Sequence, residues 1–559
     1  SIGAGITGTS VAIADNAVRG TATGNSASNG LTLDANSIAT AADLNALQIG
    51  LGDVIATVGE PGDRVGAHIA AQGDVVGSSL AITGNDARGT AIADNASNSL
   101  AVTGNQLSGA SGHGDAVAGL SNGDLVASAD FALANYQTTG TGAGEEGSTP
   151  QISSDVMGWL AVTGGDVIRS SLAIEDNSQV AAALANLAAN TLSVDATALG
   201  GNGSVASGSA LSSTQVGVAD LSAASDLRIG ATGNVVDSSV ALSGNSNSAL
   251  AHMNDASNTV SIHAVQIGEL SGTDAQLYTD PGMPGLAVGD HVLANSQYAD
   301  GSVTASALTT AGNPDWYAGL YRSAYTITGN STSAESVANQ AINALSVSAV
   351  SDGAASAGLA NTQESHAGVL AAATTRLGYD GLAMSDAQAL VGGNSTSALA
   401  RGNAASNSLT LTGTPSSGLA PASASLAGSG TVSADAALVN SQINTGDVTA
   451  LGENMVHDIA LNCIGADRSE LVLNGNSVSA SAIGNGATNS MALASLGQLP
   501  TAAVANVQMN SGQVTARVTG ATFQAIPGTL TASRLGITGN SVIASAVGNS
   551  AVTSIASLR

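Results

Sequence analysis

Lysine is absent from this 559-residue chain; its twelve basic residues are all arginine, set against 40 acidic ones, for a net charge of −28. That balance excludes the electrostatic footprint of a nucleic-acid binder or of a protein held to an anionic membrane surface. Cysteine is nearly absent too. Cys463 stands alone, so no intramolecular disulfide framework exists, which suits either a reducing compartment or an exported bacterial protein. Aromatic residues make up 2% of the chain, too few for thick globular cores. Charged residues make up only 9% and mean hydropathy is +0.23, which excludes the highly charged, poorly hydrophobic class of disordered chains. No run of about 20 apolar residues offers a membrane-spanning helix.

What the chain does have is 70 glycines, abundant Ala, Ser and Asn, and a repeat. Asn16, Asn25 and Asn29 make the first copy. Asn85, Asp94 and Asn98 follow, then Asn177/Asn186/Asn190, Asn245/Asn254/Asn258, Asn330/Asn339/Asn343, Asn394/Asn403/Asn407 and Asn476/Asn485/Asn489. The last copy is Asn540/Asn549, with Thr553 in the third place. Inside each copy the spacing is nine residues, then four; between copies it is 69, 92, 68, 85, 64, 82 and 64. A fixed local pattern with variable insertions marks stacked structural units, so a chain of this length need not divide into several globular domains. It reads as one elongated repeat domain over 1–559, with modules starting near 16, 85, 177, 245, 330, 394 and 476 and a terminal half module near 540.

The period within a module is two. Asn476, Val478, Ala480 and Ala482 alternate with Ser477, Ser479, Ser481 and Ile483, then Gly484-Asn485 punctuates, then Ala487, Asn489, Met491 and Leu493 alternate again. Alternation over this length predicts β-strand, and the Gly-Asn pair predicts a tight corner. A second element reads Asn-x-Gln, then Gly, then Val-x-Ala: Asn295/Gln297/Gly301/Val303, Asn440/Gln442/Gly446/Val448 and Asn506/Gln508/Gly512/Val514, with relatives at Gln48, Asn135/Gln137, Gln215 and Asn361/Gln363. Seven Gln elements thus alternate with eight Asn elements, in short and long modules. The expected fold is all-β: a β-solenoid of stacked strand–turn–strand repeats with loop insertions in alternate modules. Two coils per module, about fifteen in all, would give a rod near 70 Å long at about 4.8 Å per coil; a single wide coil per module is the alternative.

Amides at equivalent inward positions of stacked strands sit about 4.8 Å apart, so each donates to one neighbour and accepts from the other. A lone buried Asn would cost on the order of 1–3 kcal/mol if unsatisfied. The first and third Asn of each copy, from Asn16 and Asn29 to Asn489 and Asn540, fall in phase with the apolar positions and are the predicted ladder, with Gln297, Gln363, Gln442 and Gln508. The middle Asn is the predicted corner.

Four segments break the pattern: 138–165 with Trp159, 278–290 with Tyr278, 311–325 with Trp316, Tyr317, Tyr321 and Tyr325, and 451–468 with His457 and Cys463. As insertions leaving a solenoid at its corners, they make Trp159, Trp316, Tyr317 and Tyr321 candidate contact residues for other fibres or surface glycans; covering a face of their own chain is the competing role. Chemistry is scarce. Gly3-x-Gly5-x-x-Gly8 lacks the flanking strand and helix of a dinucleotide site, and Gly119-x-Ser121-x-Gly123 lacks the nucleophile-elbow context. His68, His113, His252, His263, His291, His366 and His457 show no paired metal-ligand spacing. Acidic turns at Asp53, Asp74 and Asp447 offer at most weak calcium binding. No cofactor and no catalysis are expected.

The texture of Gly475-Asn476…Gly484-Asn485-Gly486-Ala487-Thr488-Asn489, with its relatives and the Asn-x-Gln elements, resembles the curlin-type repeats of bacterial curli fibres. Curlin repeats are much shorter and carry no such insertions. The resemblance implies an extracellular, amyloid-like β-solenoid that polymerises into a fibre for adhesion or biofilm. A weaker similarity is to the heads of trimeric autotransporters, but no heptad segment is present. The chain begins at Ser1, which favours a removed leader and export. The expected function is a secreted bacterial filament subunit joined head to tail through open solenoid ends; alternatives are a surface adhesin or autotransporter passenger binding through aromatic loops, and a polysaccharide-active β-helix enzyme.

Overall fold

The computed structural model describes residues 5–57, 67–108, 114–117, 126–140, 149–200, 207–268, 275–278, 285–311, 319–353, 355–381, 383–413, 422–426, 430–452, 458–495, 497–518 and 522–558. The regular elements among them are β-strands, stacked in parallel as a β-solenoid. Among the described residues no helix is long and apolar enough to cross a membrane.

Each module is one wide coil. The coils open at Ile6, Val75, Val167, Val235, Leu320, Met384, Ala466 and Leu530. In each, a two-residue strand, a five-residue strand and a long strand bearing the Asn triad follow one another. The three form parallel sheets of eight strands, each coil pairing only with its neighbours. The Gln elements pair with one another: Ala42–Gly50 with Phe131–Thr139, that with Ser209–Ala231, and on to Ala502–Asn510. Because Asn strands stack on Asn strands and Gln strands on Gln strands, the two-coil arrangement is excluded. Eight coils make seven steps, a stack of about 34 Å rather than 70 Å.

The long strands explain the misread corner. Ser178–Leu199 runs straight through Asn186, pairing with Asp86–Leu107 below and Ser246–Ile267 above. The register omits Ala185 and Met253, and Ala185 and Asn186 are both buried. The Gly-Asn pair is therefore a shared bulge that shifts the alternation by one residue. Glycine is needed there for space: a Cβ on Gly402 would lie 2.4 Å from Asn444 Oδ1, and one on Gly484 2.4 Å from Asn510 Oδ1. Where the facing residue is Gly217, the bulge position instead holds Met253.

The Asn sheet faces the Gln sheet, and the space between them is layered. At one end lies a Leu/Val core that includes Leu100, Phe131, Leu133, Leu192 and Leu211. The middle is almost all alanine and valine, including Ala181, Ala183, Ala219 and Ala223. The other end returns to large residues such as Leu80, Leu160, Leu172 and Ile174. Small residues let the sheets approach closely at the waist.

Coils 2, 4 and 6 each carry a β-hairpin between their Asn and Gln strands: Gly114–Val117 with Val126–Ala129, Ala275–Tyr278 with Gly285–Gly289, and Ala422–Leu426 with Gly430–Ala434. The hairpins join edge to edge into one antiparallel sheet, which packs on the outward residues Ala132, Ala134, Ala210 and Ala294. A hairpin is two strands, about 9.6 Å, wide; two coils rise by the same amount. One hairpin per two coils tiles the stack, which is why long and short modules alternate.

Candidate functional site

Two features of this stack carry polar chemistry along its axis: the amide ladders inside and a column of corners outside.

Three Asn ladders run along the Asn sheet. The first-place residues sit at true corners. Gly84, Gly244, Gly329, Gly393, Gly475 and Gly539 precede them with φ between 62° and 67°, and Asp15 and Asp176 take the same conformation in coils 1 and 3. Asn16 Nδ2 donates to Asn85 Oδ1 at 3.0 Å, and the chain of donation passes through Asn177, Asn245, Asn330, Asn394 and Asn476 to Asn540, each step 2.9 Å. The third-place ladder runs from Asn29 through Asn98, Asn190, Asn258, Asn343 and Asn407 to Asn489 at 2.8–2.9 Å. The middle residues form a ladder as well: Asn186 donates to Asn254 at 2.7 Å, and the line continues through Asn339, Asn403 and Asn485 to Asn549. Strict alternation conceals it, because the bulge moves the middle Asn inward.

The Gln ladder opposes these. Gln137 Nε2 donates back to Gln48 Oε1 at 2.7 Å, and Gln215, Gln297, Gln363, Gln442 and Gln508 each donate to the coil below. Every Asn ladder donates toward the C-terminal coil and the Gln ladder toward the N-terminal one. Cross-bonds such as Asn98 to Asn135 at 3.0 Å and Asn258 to Asn295 at 3.0 Å tie the two sheets together.

Coil 2 breaks the middle ladder with Asp94. It accepts from Asn25 at 2.6 Å, and the Thr139 hydroxyl lies 2.9 Å from Asp94 and 2.8 Å from Asn186. An ionised carboxylate has no hydrogen to pass to Asn186. Burial pushes the Asp94 carboxyl above the usual range, against the Asn25 and Thr139 hydrogen bonds.

Neither a family model nor a curated protein nor a solved structure matches this chain.

The outer column lies where the two-residue strand turns into the five-residue strand. Gly8, Gly77, Arg169, Asp237, Arg322, Asp386, Arg468 and Ala532 occupy one corner position, all with φ between 47° and 63°. Coils 1 and 2 use glycine, which adopts this conformation freely. Coils 3 to 7 place charge there, alternately Arg and Asp, although the left-handed region disfavours any residue with a Cβ. Arg322 grips Asp237 with two hydrogen bonds, at 2.6 and 2.8 Å, and Arg468 grips Asp386 at 2.6 and 2.9 Å. The guanidiniums hold both carboxyls below the usual carboxylate range. Arg169 makes no side-chain ion pair among the described residues. The corners turn inward and leave a groove of about 1300 Å³ that crosses all eight coils, lined by these residues and by rows of serine. Nothing in the sequence pattern singled this column out, because Arg and Asp carry no turn signature at that position.

The sequence-predicted contact residues are scattered. Trp159 lies in the strand Gln151–Thr163 and stacks on His68 of the coil below, ring centroids 4.6 Å apart and planes within 4°, so it covers its own chain. Tyr321 ends a two-residue corner strand and is half-buried. Trp316, Tyr317 and His457 lie outside the described residues. The acidic turns are engaged by backbone: Asp53 accepts from the amide of Gln151 at 2.8 Å, Asp74 from Asp166 at 2.9 Å and Asp447 from Gln513 at 2.9 Å. Among the described residues no group of three or more His, Cys, Asp or Glu is arranged to hold a metal ion. Cys463 is buried, which pushes its thiol up.

Proposed function

We propose that this chain is a structural subunit of an extracellular, curli-like bacterial filament in which the coils of one copy stack head to tail on those of the next, with adhesion or a biofilm matrix as its use. The observation that carries this reading is the invariance of the coil face. Across coils spaced by 64 to 92 residues the first-place Asn ladder runs through all seven junctions and the other two through six each, so one coil is a template for another. The alternating ladder direction makes each face donor on one side and acceptor on the other. Coil 8 leaves the strand Ser541–Leu558 unpaired on its upper edge, with Ile543, Val552 and Ile555 exposed. A stacked copy extends the corner sheets and the Asn sheet strand for strand.

Negative-stain imaging of the concentrated chain tests this. Unbranched filaments of constant width with a repeat near 4.8 Å along the axis in fibre diffraction are the expected result. A chain that sediments as a monomer at every concentration, without filaments, removes the reading.

A further inference from the structure

We propose that the corner groove is a binding site for a linear acidic polysaccharide lying along the solenoid axis. The first observation is compositional. Acidic residues outnumber arginines 40 to 12 in the whole chain, yet the groove is lined by four arginines, Arg169, Arg322, Arg468 and Arg534, and only three acids. A third of the positive charge is gathered at one concave strip.

The second observation is conformational. The corner position accepts glycine without strain, as Gly8 and Gly77 show, and aspartate tolerates it, but coils 3, 5 and 7 hold arginine in a backbone region unfavourable to it. Ion pairing does not account for that choice. The Arg322–Asp237, Arg468–Asp386 and Arg534–Glu470 pairs are solvent-exposed, where such pairs contribute little, and among the described residues Arg169 makes no ion pair within 4 Å. Charge at these corners therefore answers to something outside the fold.

The chemistry of the lining identifies the class. Arg169, Arg322 and Arg468 stand two coils apart, about 9.6 Å, with Asp237 and Asp386 between them and serine hydroxyls alongside. Guanidinium forks take carboxylates or sulfates, while the intervening carboxylates take hydroxyl donors. A ligand must carry both along an extended chain. A sugar polymer with periodic acidic groups does. A DNA strand carries no free hydroxyls along its length to offer Asp237, Asp386 and Glu470, and so meets those carboxylates with phosphate alone.

Polygalacturonate is the probe, with dextran as the neutral control and oligothymidylate as the nucleic-acid control. The test variant is the triple substitution Arg169→Gly, Arg322→Gly and Arg468→Gly, which installs the residue that coils 1 and 2 already use and so keeps the fold. Titration calorimetry should show saturable, salt-sensitive binding of polygalacturonate to the native chain, no binding of dextran, and roughly a tenfold or greater loss in the triple variant. A second variant, Arg19→Ser, Arg88→Ser and Arg401→Ser, removes equal charge from the Asn sheet and should bind as the native chain does. Undiminished binding by the first variant, an equal loss in the second, absence of binding to the native chain, or oligothymidylate binding as tightly as polygalacturonate would each overturn the proposal.

Discussion

Replacing Asn258 by Ala should destabilise the solenoid by about 3 kcal/mol, several times the effect of changing its outward neighbour Thr259 to Ala, which should stay within about 0.5 kcal/mol. Asn258 is fully buried; it accepts from Asn190 at 2.9 Å and donates to Asn343 at 2.9 Å and Asn295 at 3.0 Å. Truncation orphans groups on two coils and leaves a cavity between the sheets. Because within the coil stack each strand pairs only with the adjacent coils, the hairpins alone bridging alternate ones, the array approximates a one-dimensional chain of coupled units, and urea unfolding of the variant should split into two transitions. Asp94→Asn is the converse arm. It restores the missing donor to Asn186 and should stabilise by roughly 1–2 kcal/mol at neutral pH. The sign follows from the raised carboxyl: a folded-state value above the unfolded one gives a contribution present in acid and lost as pH rises through it. The gain from Asp94→Asn should therefore shrink on acidification. Equal, small effects at all three positions would mean the amides do not act as ladders.

Acidification from pH 6.5 toward pH 3 should remove up to roughly 4–5 kcal/mol of stability through one residue, His291. Its ring is completely buried, neither nitrogen has a hydrogen-bond partner among the described residues, and burial lowers its value to about 3. The unfolded chain takes up a proton near pH 6.5 while the folded chain resists until about 3. Stability from a depressed histidine is present above the unfolded value and drains away below it. The neighbouring Asp290 stays engaged, accepting from the amide and hydroxyl of Ser356 at 2.7 and 2.9 Å. The same strand position in coil 2 is Phe131, also fully buried and also beside a hairpin. His291→Phe therefore fits a place the fold already provides, and should flatten the pH profile between 6.5 and 3. Chemical denaturation at stepped pH checks this; coincident native and variant profiles would contradict it.

Much of the fold was legible in the residues, and the failures have physical causes. The recurrence of Asn258 and its equivalents gave the repeat, and period-two alternation gave strands. The coil count was misjudged because a linear alternation of Asn and Gln elements does not say which strands become neighbours; the pairing of Gln215 with Gln297, 82 residues on, is non-local. Gly402-Asn403 looked like a corner because glycine serves close approach as readily as turning. The real corners hold Arg322 or Asp386, residues that signal no turn. The hairpin sheet was hidden because its tiling depends on the coil rise.

The central claim is that each module is one coil whose Asn strand lies directly on the next. Disulfide trapping measures this most directly. Ser257 and Ile342 are outward residues in register on coils 4 and 5. In a Cys463→Ser background, Ser257→Cys with Ile342→Cys should oxidise rapidly to one intrachain disulfide, since adjacent strands place the two within bonding range. Were a Gln strand interposed, the two would stand about 9.6 Å apart, beyond the reach of a disulfide. Failure to cross-link in the folded chain would contradict the account.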